Sequence, residues 1–283
     1  MTIQPCLAIF ISRLQFTVST IITLTVDESM AGLIIGGVIG LIIGTSLLGL
    51  AIYLSLDYLK TPPEKQNEKQ AVTEPAHITR HYAWQFSIDR GKIAQPFSTK
   101  VAILQDRYRH YCNLPRNLNP LAYHIYAQDP APEVRQLAAY FRLQQKQAGY
   151  SDYAQVCHVL AFAQQTIRYQ HDIASDSNRI VDYPKYPLET LVDKTGDCED
   201  QAALAAAILH CLGFSVAIII SQRHAALGIA DVNGLSGASI VHPESGKRYF
   251  YAETTAKGWL PGEVPKSFLI DYQTGQFSAL PVL

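Results

Sequence analysis

No charge of either sign predominates in this chain: 23 Lys and Arg stand against 24 Asp and Glu, for a formal net charge of -1. That balance offers no electrostatic footprint for a phosphate backbone, so no nucleic-acid partner is expected. Paired cysteines are missing as well. Cys6, Cys112, Cys157, Cys198 and Cys211 are odd in number and include no CxxC. They suggest neither a disulfide framework nor a zinc site, and no metal or cofactor is expected. Charge is wholly absent over residues 29–56, a run long enough to cross a hydrocarbon core of about 30 Å as a helix. Apolar residues are scarce over residues 61–75, TPPEKQNEKQAVTEP, which reads as a flexible stalk.

These absences divide the chain. Residues 30–57 read as a transmembrane helix, because a cleavable signal peptide has an apolar core of only about 7–15 residues. Gly32, Gly36, Gly40 and Gly44 recur at steps of four on that helix, a stripe that lets two backbones approach and suggests self-association. Residues 1–29 stay open: a poor signal-like segment, a second membrane segment, or an artefact of start-site choice, since Met30 opens the better span. Lys60, Lys65 and Lys69 follow the span and Arg13 precedes it, which favours a single-pass protein with its C-terminal domain in the cytoplasm. The linker is placed at 58–76.

From His81 the pattern becomes globular. Residues 82–88 alternate like a strand, and 101–111 fit strand or helix equally. Asp129-Pro130-Ala131-Pro132 opens a helix, with Pro tolerated in the first turn. A second helix spans about 152–169, with Val156, Val159, Leu160, Ala163 and Ile167 at core-facing spacing. Cys157 and His158 lie in it and read as core or flanking residues. After a polar loop at 171–187 and one more helix come strands at 215–221, 225–231, 237–241 and 248–255, with 268–272 as one more candidate. Helices followed by sequential strands imply an α+β fold with a largely antiparallel sheet. Residues 77–150 form an N-terminal α/β extension and residues 151–283 the core.

Residues 186–213, YPLETLVDKTGDCEDQAALAAAILHCLG, organise that core. Nothing between Gln201 and Leu212 would break a helix. Asp197 suits the N-cap, Asp200 supplies the acidic half of a capping box, and Gly213 the stop. Cys198 therefore falls in the first turn, where the helix dipole can lower a thiol pKa; the alternative is a small apolar residue filling a helix start. Glu199 reads as a solvated first-turn residue.

A nucleophilic cysteine needs an imidazole, and the imidazole needs an orienting group. His224 stands at the mouth of a strand; His242 is followed by an evident turn; His210 lies three turns along the helix, too far from the sulfur. Glu253, in the strand YFYAETT, is the acidic candidate, although alternation places it on the face of Tyr249 and Tyr251 without deciding whether that face is wet.

The blocks YPxETLVDKxGDCED, HAALGI and YFYAETTxxGWLPGE, in that order, resemble the transglutaminase-like superfamily of thiol enzymes, in its microbial membrane-anchored branch. The resemblance covers roughly residues 82–265. It implies a papain-like core, a nucleophile helix packed on an antiparallel sheet, with Cys198 as nucleophile, His224 as base and Glu253 as acid. The wider pattern more often has Asp at that last position, and Asp231 is held in reserve. The implied activity is cleavage or transfer of protein or peptide acyl groups through a thioester, as protease or amidase before cross-linker. A catalytically silent, membrane-tethered peptide-binding domain is the alternative. Gln164 or Gln165 would assist the oxyanion, or simply face solvent. Tyr183, Tyr186 and Trp259 would line the cleft, or simply pack.

Overall fold

A computed structural model of the protein describes residues 76–87, 94–171 and 182–283, within the unit Glu74–Leu283. The expectations for residues 1–29, for the span at 30–57 with Gly32, Gly36, Gly40 and Gly44, and for the stalk up to residue 75 lie outside the described residues. Among the described residues no helix is long and apolar enough to cross a membrane.

The expected strand near residue 82 is β1 (His77–Phe86), paired antiparallel with β2 (Gln95–Leu104). Tyr82, Trp84 and Phe86 are buried and their neighbours are not, the period of two that a half-buried strand demands. The ambiguous stretch at 101–111 is both structures in turn: β2 runs into α1 (Gln105–Cys112). After the short α2 (Ile125–Gln128), α3 (Pro132–Ala148) begins with its proline in the first turn and ends at Gly149, whose φ of 68° a side chain would resist. α4 (Asp152–Thr166) is capped by Ser151, whose side chain accepts from the Ala154 N–H at 3.2 Å. β3 (Arg168–Tyr169) follows, then α5 (Pro187–Asp193) and β4 (Thr195–Gly196), which pairs parallel with β3.

α6 (Cys198–Leu212) is the central element, buried continuously from Glu199 to Leu209. A helix apolar on every side belongs inside. Its alanines keep it thin, so α3, α4 and α5 pack around it together with β5 (Ser215–Ile220) and β6 (Ala225–Ala230). Each fully buried leucine or isoleucine, such as Leu204 or Ile208, contributes about 1.5–3 kcal/mol. The hairpin aromatics share this same core with α6.

β7 (Ser239–Val241), β8 (Arg248–Ala252) and β9 (Ser278–Pro281) complete an antiparallel sheet in the order β7-β8-β6-β5-β9. Val216, Ile218 and Ile220 face the helices, whereas Ala217 and Ile219 face Tyr249, Tyr251 and Phe277 on the other side. β5 is thus covered on both faces, which its unbroken apolar run requires. The expected strand at 268–272 is instead helical: a turn at Lys266–Phe268 leads into α7 (Leu269–Gln273). Phe268 and Tyr272, four apart, both pack on the sheet while Ile270 is exposed, a helical period and not a strand's. The last strand is β9, which hydrogen-bonds to β5.

Candidate active site

The chain entering α6 is fixed before the helix begins. The Gln170 N–H donates to the Gly196 carbonyl at 3.0 Å as part of the β3–β4 pairing. A Cβ at Gly196 would stand 2.6 Å from the Asp200 Cβ, so only glycine fits. Buried Asp200 accepts from the backbone N–H of Lys185 at 2.7 Å and of Asp197 at 3.4 Å. It ties the preceding loop to the helix start, as the capping-box pattern anticipates.

Cys198, the first residue of α6, is partly buried. Its thiol donates to Glu199 Oε2 at 3.2 Å. Burial pushes the thiol pKa up, the Glu199 charge adds to that, and the Ala225 N–H opposes it. Two expectations are corrected here. Glu199 is not solvated but buried against the sulfur, and these surroundings favour the thiol over a standing thiolate. The magnitudes explain why. A helix N-terminus is worth about 0.3–1 kcal/mol, less than one pKa unit at about 1.4 kcal/mol. Desolvation and an adjacent carboxylate outweigh it. Burial also raises the Glu199 carboxyl.

His224 closes the β5–β6 turn, where the Ser221 N–H donates to its carbonyl at 2.8 Å. Its Nε2 lies 2.9 Å from Glu253 Oε2. Glu253, just past β8 and 1% exposed, also accepts from the Tyr251 hydroxyl at 2.8 Å, the Thr255 N–H at 2.9 Å and the Thr255 hydroxyl at 2.7 Å. Burial alone would raise its pKa, but His224 and Thr255 together hold it at about 2. An ionised carboxylate only accepts, so the His224 proton facing Glu253 is on Nε2, and Nδ1 is the ring nitrogen left for other partners. Asp231 lies at the other end of β6, exposed and paired with Lys247 at 2.7 Å. The carboxylate partner of His224 is therefore Glu253.

The expected oxyanion donors are occupied elsewhere. Gln164 Nε2 donates to the carbonyls of Glu253 at 2.8 Å and Trp259 at 3.0 Å, and its oxygen accepts from the Gly258 N–H at 3.0 Å. Both amide hydrogens are used, and Gln164 fastens the loop after Glu253 to α4. Gln165 exchanges two hydrogen bonds with the Gln85 backbone on β1. Tyr183 and Tyr186 both pack against Arg116, whose guanidinium lies 4.7 and 4.8 Å from their rings and pairs with buried Glu189 at 2.7 Å. That arrangement explains both tyrosines by packing. Trp259 is half-buried, on the loop held by Gln164. Cys157 and His158 are buried; His158 is stacked on Phe86 and kept neutral by burial, with a pKa of about 3. His210 stands in the last turn of α6, and His242 bonds to Ser245 in its turn.

Several neighbours of the site were not visible in the sequence. Tyr169 sits across from Gly196, and burial, followed by the charges of Cys198, Asp197, Glu199 and Glu253, pushes its pKa up to about 12. Nothing in the stretch IRYQH marks it, because only the β3–β4 pairing brings it near. Phe268 and Asp271, more than forty residues beyond His224, are likewise joined to it only by the fold. Oxygens of Asp197, Glu199 and Asp200 lie within 4.8 Å of one another, close enough to chelate a cation, with the Lys185 ammonium already 4.0 Å from Asp200.

Among known proteins, no curated protein matches the chain. A solved structure of a candidate cysteine protease from Cytophaga hutchinsonii is similar at 14% identity and a TM-score of 0.29, over 66% of this chain and 68% of that one. The family model described as a transglutaminase-like domain matches residues 138–234, which hold α4, α6 with Cys198, and the turn with His224. Over that stretch, about a third of its length, the chain is similar to the transglutaminase-like domain.

Proposed function

We propose that the chain is a thiol hydrolase or acyltransferase in which Cys198 is the nucleophile, His224 carries the proton and Glu253 orients the imidazole. The observation that carries this reading is the buried His224–Glu253 pair, next in sequence to Ala225, whose backbone N–H favours the charged form of Cys198. His224 Nδ1 takes the thiol proton as sulfur attacks an amide carbonyl, and the negative charge moves to the carbonyl oxygen. The backbone N–H of Cys198, in the first turn of α6, is suited to receive that oxyanion. The imidazolium returns its proton to the leaving amine as the C–N bond breaks, leaving a thioester. Water, deprotonated by the same nitrogen, cleaves the thioester and restores the thiol. Because Cys198 rests as a thiol, its activation occurs with substrate bound.

On this reading the core is papain-like, α6 against the antiparallel sheet, within residues 151–283, with 77–150 as its extension. Protein or peptide amides are the substrate class, hydrolysed in preference to cross-linked, since no residue marks an amine-acceptor site. Residues 30–57 tether the enzyme to a membrane through the 58–76 stalk, with the domain on the cytoplasmic side and self-association through Gly32, Gly36, Gly40 and Gly44. The contact between Cys198 and Glu199 favours a second reading, a binding domain whose thiol is never released.

The test is covalent labelling of the full chain in detergent with a peptide acyloxymethyl ketone, read by mass spectrometry. An adduct on Cys198, lost in Cys198→Ala and slowed by about 10²-fold or more in His224→Ala, supports the enzyme. Peptide binding without a Cys198 adduct would leave the binding domain as the correct reading.

A further inference from the structure

We infer that residues 266–273, outside the family-matched region, are the positioning element for His224, with Phe268 fixing the plane of its imidazole. The inference rests on the reading of His224 as proton carrier. The two rings lie face to face, 3.8 Å between centroids and 4° between planes. The bond from Nε2 to Glu253 fixes one edge of the imidazole but leaves the ring free to tilt about that edge. A flat ring stacked on its face removes that tilt. Together the two contacts determine where Nδ1 points, and Nδ1 is the atom that must meet the thiol.

Three residues after Phe268, Asp271 grips the turn that carries His224. It accepts from Arg223 Nη2 at 2.5 Å, Arg223 Nε at 3.3 Å and the Ser221 hydroxyl at 3.3 Å. Asp271 is 3% exposed, and a buried carboxylate is costly unless paired; here its partners are the two residues that shape the turn. Spacing of i and i+3 puts Phe268 and Asp271 on one face of the helical segment, whereas Ile270 between them is exposed. One turn of helix therefore holds both the ring and the backbone beneath it. Displacing a reacting group by about 1 Å costs on the order of 10²-fold in rate, so this hold is a requirement of the chemistry.

The experiment compares Phe268→Leu, which keeps bulk but not flatness, with Phe268→Tyr, which keeps both. Steady-state hydrolysis of p-nitrophenyl butyrate by the full chain in detergent is measured beside imidazole 15N–1H spectra that report the His224 tautomer. Phe268→Leu is expected to lower kcat by about tenfold or more with little change in KM, and to mix the His224 tautomers. Phe268→Tyr is expected to recover most of the rate and a single Nε2–H tautomer. A Phe268→Leu protein with the parent's kcat and tautomer overturns the inference. If the parent chain does not hydrolyse the ester, the reading of the enzyme is what fails. The spectra then still decide the positioning role: a tautomer that responds to leucine but not to tyrosine supports it, and an unchanged one rejects it.

Discussion

Glu199 Oε2 stands 3.2 Å from the Cys198 sulfur, on the same helical turn whose free N–H groups would favour a thiolate. The carboxylate cancels that advantage. Whatever activates the cysteine has to overcome Glu199, burial and the local negative charge together, or move the carboxylate aside.

Replacing Glu199 with glutamine removes the charge and keeps the shape. At pH 7 iodoacetamide should then alkylate Cys198 about tenfold faster or more, since one unit of pKa is a tenfold change in thiolate. Peptide mapping separates Cys198 from Cys112 and Cys211. An unchanged rate would mean that burial alone holds the proton.

Glu253 makes stability depend on acid. Its folded pKa of about 2 lies below the ordinary value of 4.5, so its contribution is present above about pH 4.5 and disappears as pH falls through 2. A shift of that size corresponds to roughly 3 kcal/mol. Urea unfolding of the parent should weaken across that window. Glu253→Gln should be less stable at pH 7 by a similar amount and show a flatter profile below pH 4.5. Parallel profiles for the two proteins would contradict the assignment.

Gly196→Ala places a methyl 2.6 Å from the Asp200 Cβ. Overpacking of this kind costs about 1–3 kcal/mol, and here the strain falls on the residue that caps the nucleophile helix. Thermal unfolding should show the loss, and labelling of Cys198 should fall with it. A variant as stable as the parent would show that the helix start can relax.

Gln164→Leu leaves two carbonyls and one N–H on the loop after Glu253 without their partner. Stability should fall by about 1–3 kcal/mol, and limited proteolysis should first cut near residues 254–259. Cleavage elsewhere would show that the loop is held by other contacts.

The sequence made the helix at Cys198 legible because its signals are local: Asp197 and Asp200 before it, alanine and leucine through it, Gly213 after it. The strands from β5 to β8 were legible for the same reason. What escaped was decided by distant contacts. Glu199 looks like any first-turn acid until the fold buries it against Cys198. Gln164 and Gln165 have the chemistry of oxyanion donors, but backbone groups on β1 and after β8 take their amides. Residues 268–272 carry enough apolar side chains for a strand, and only the packing of Phe268 and Tyr272 on one face makes them helical. Asp231 and Glu253 were rivals by composition, and the length of β6 separates them.

The burial of α6 has a kinetic consequence. Its hydrogen-bonded amides from Gln201, which donates to the Asp197 carbonyl at 3.2 Å, to Leu209 belong to buried residues, so they meet deuterated solvent only when the whole unit opens. The most slowly exchanging stretch should therefore start three residues after the sulfur. Mild heat or denaturant cannot soften the nucleophile's support by degrees. Cys198 should keep its surroundings until the fold is lost, and then lose them all at once.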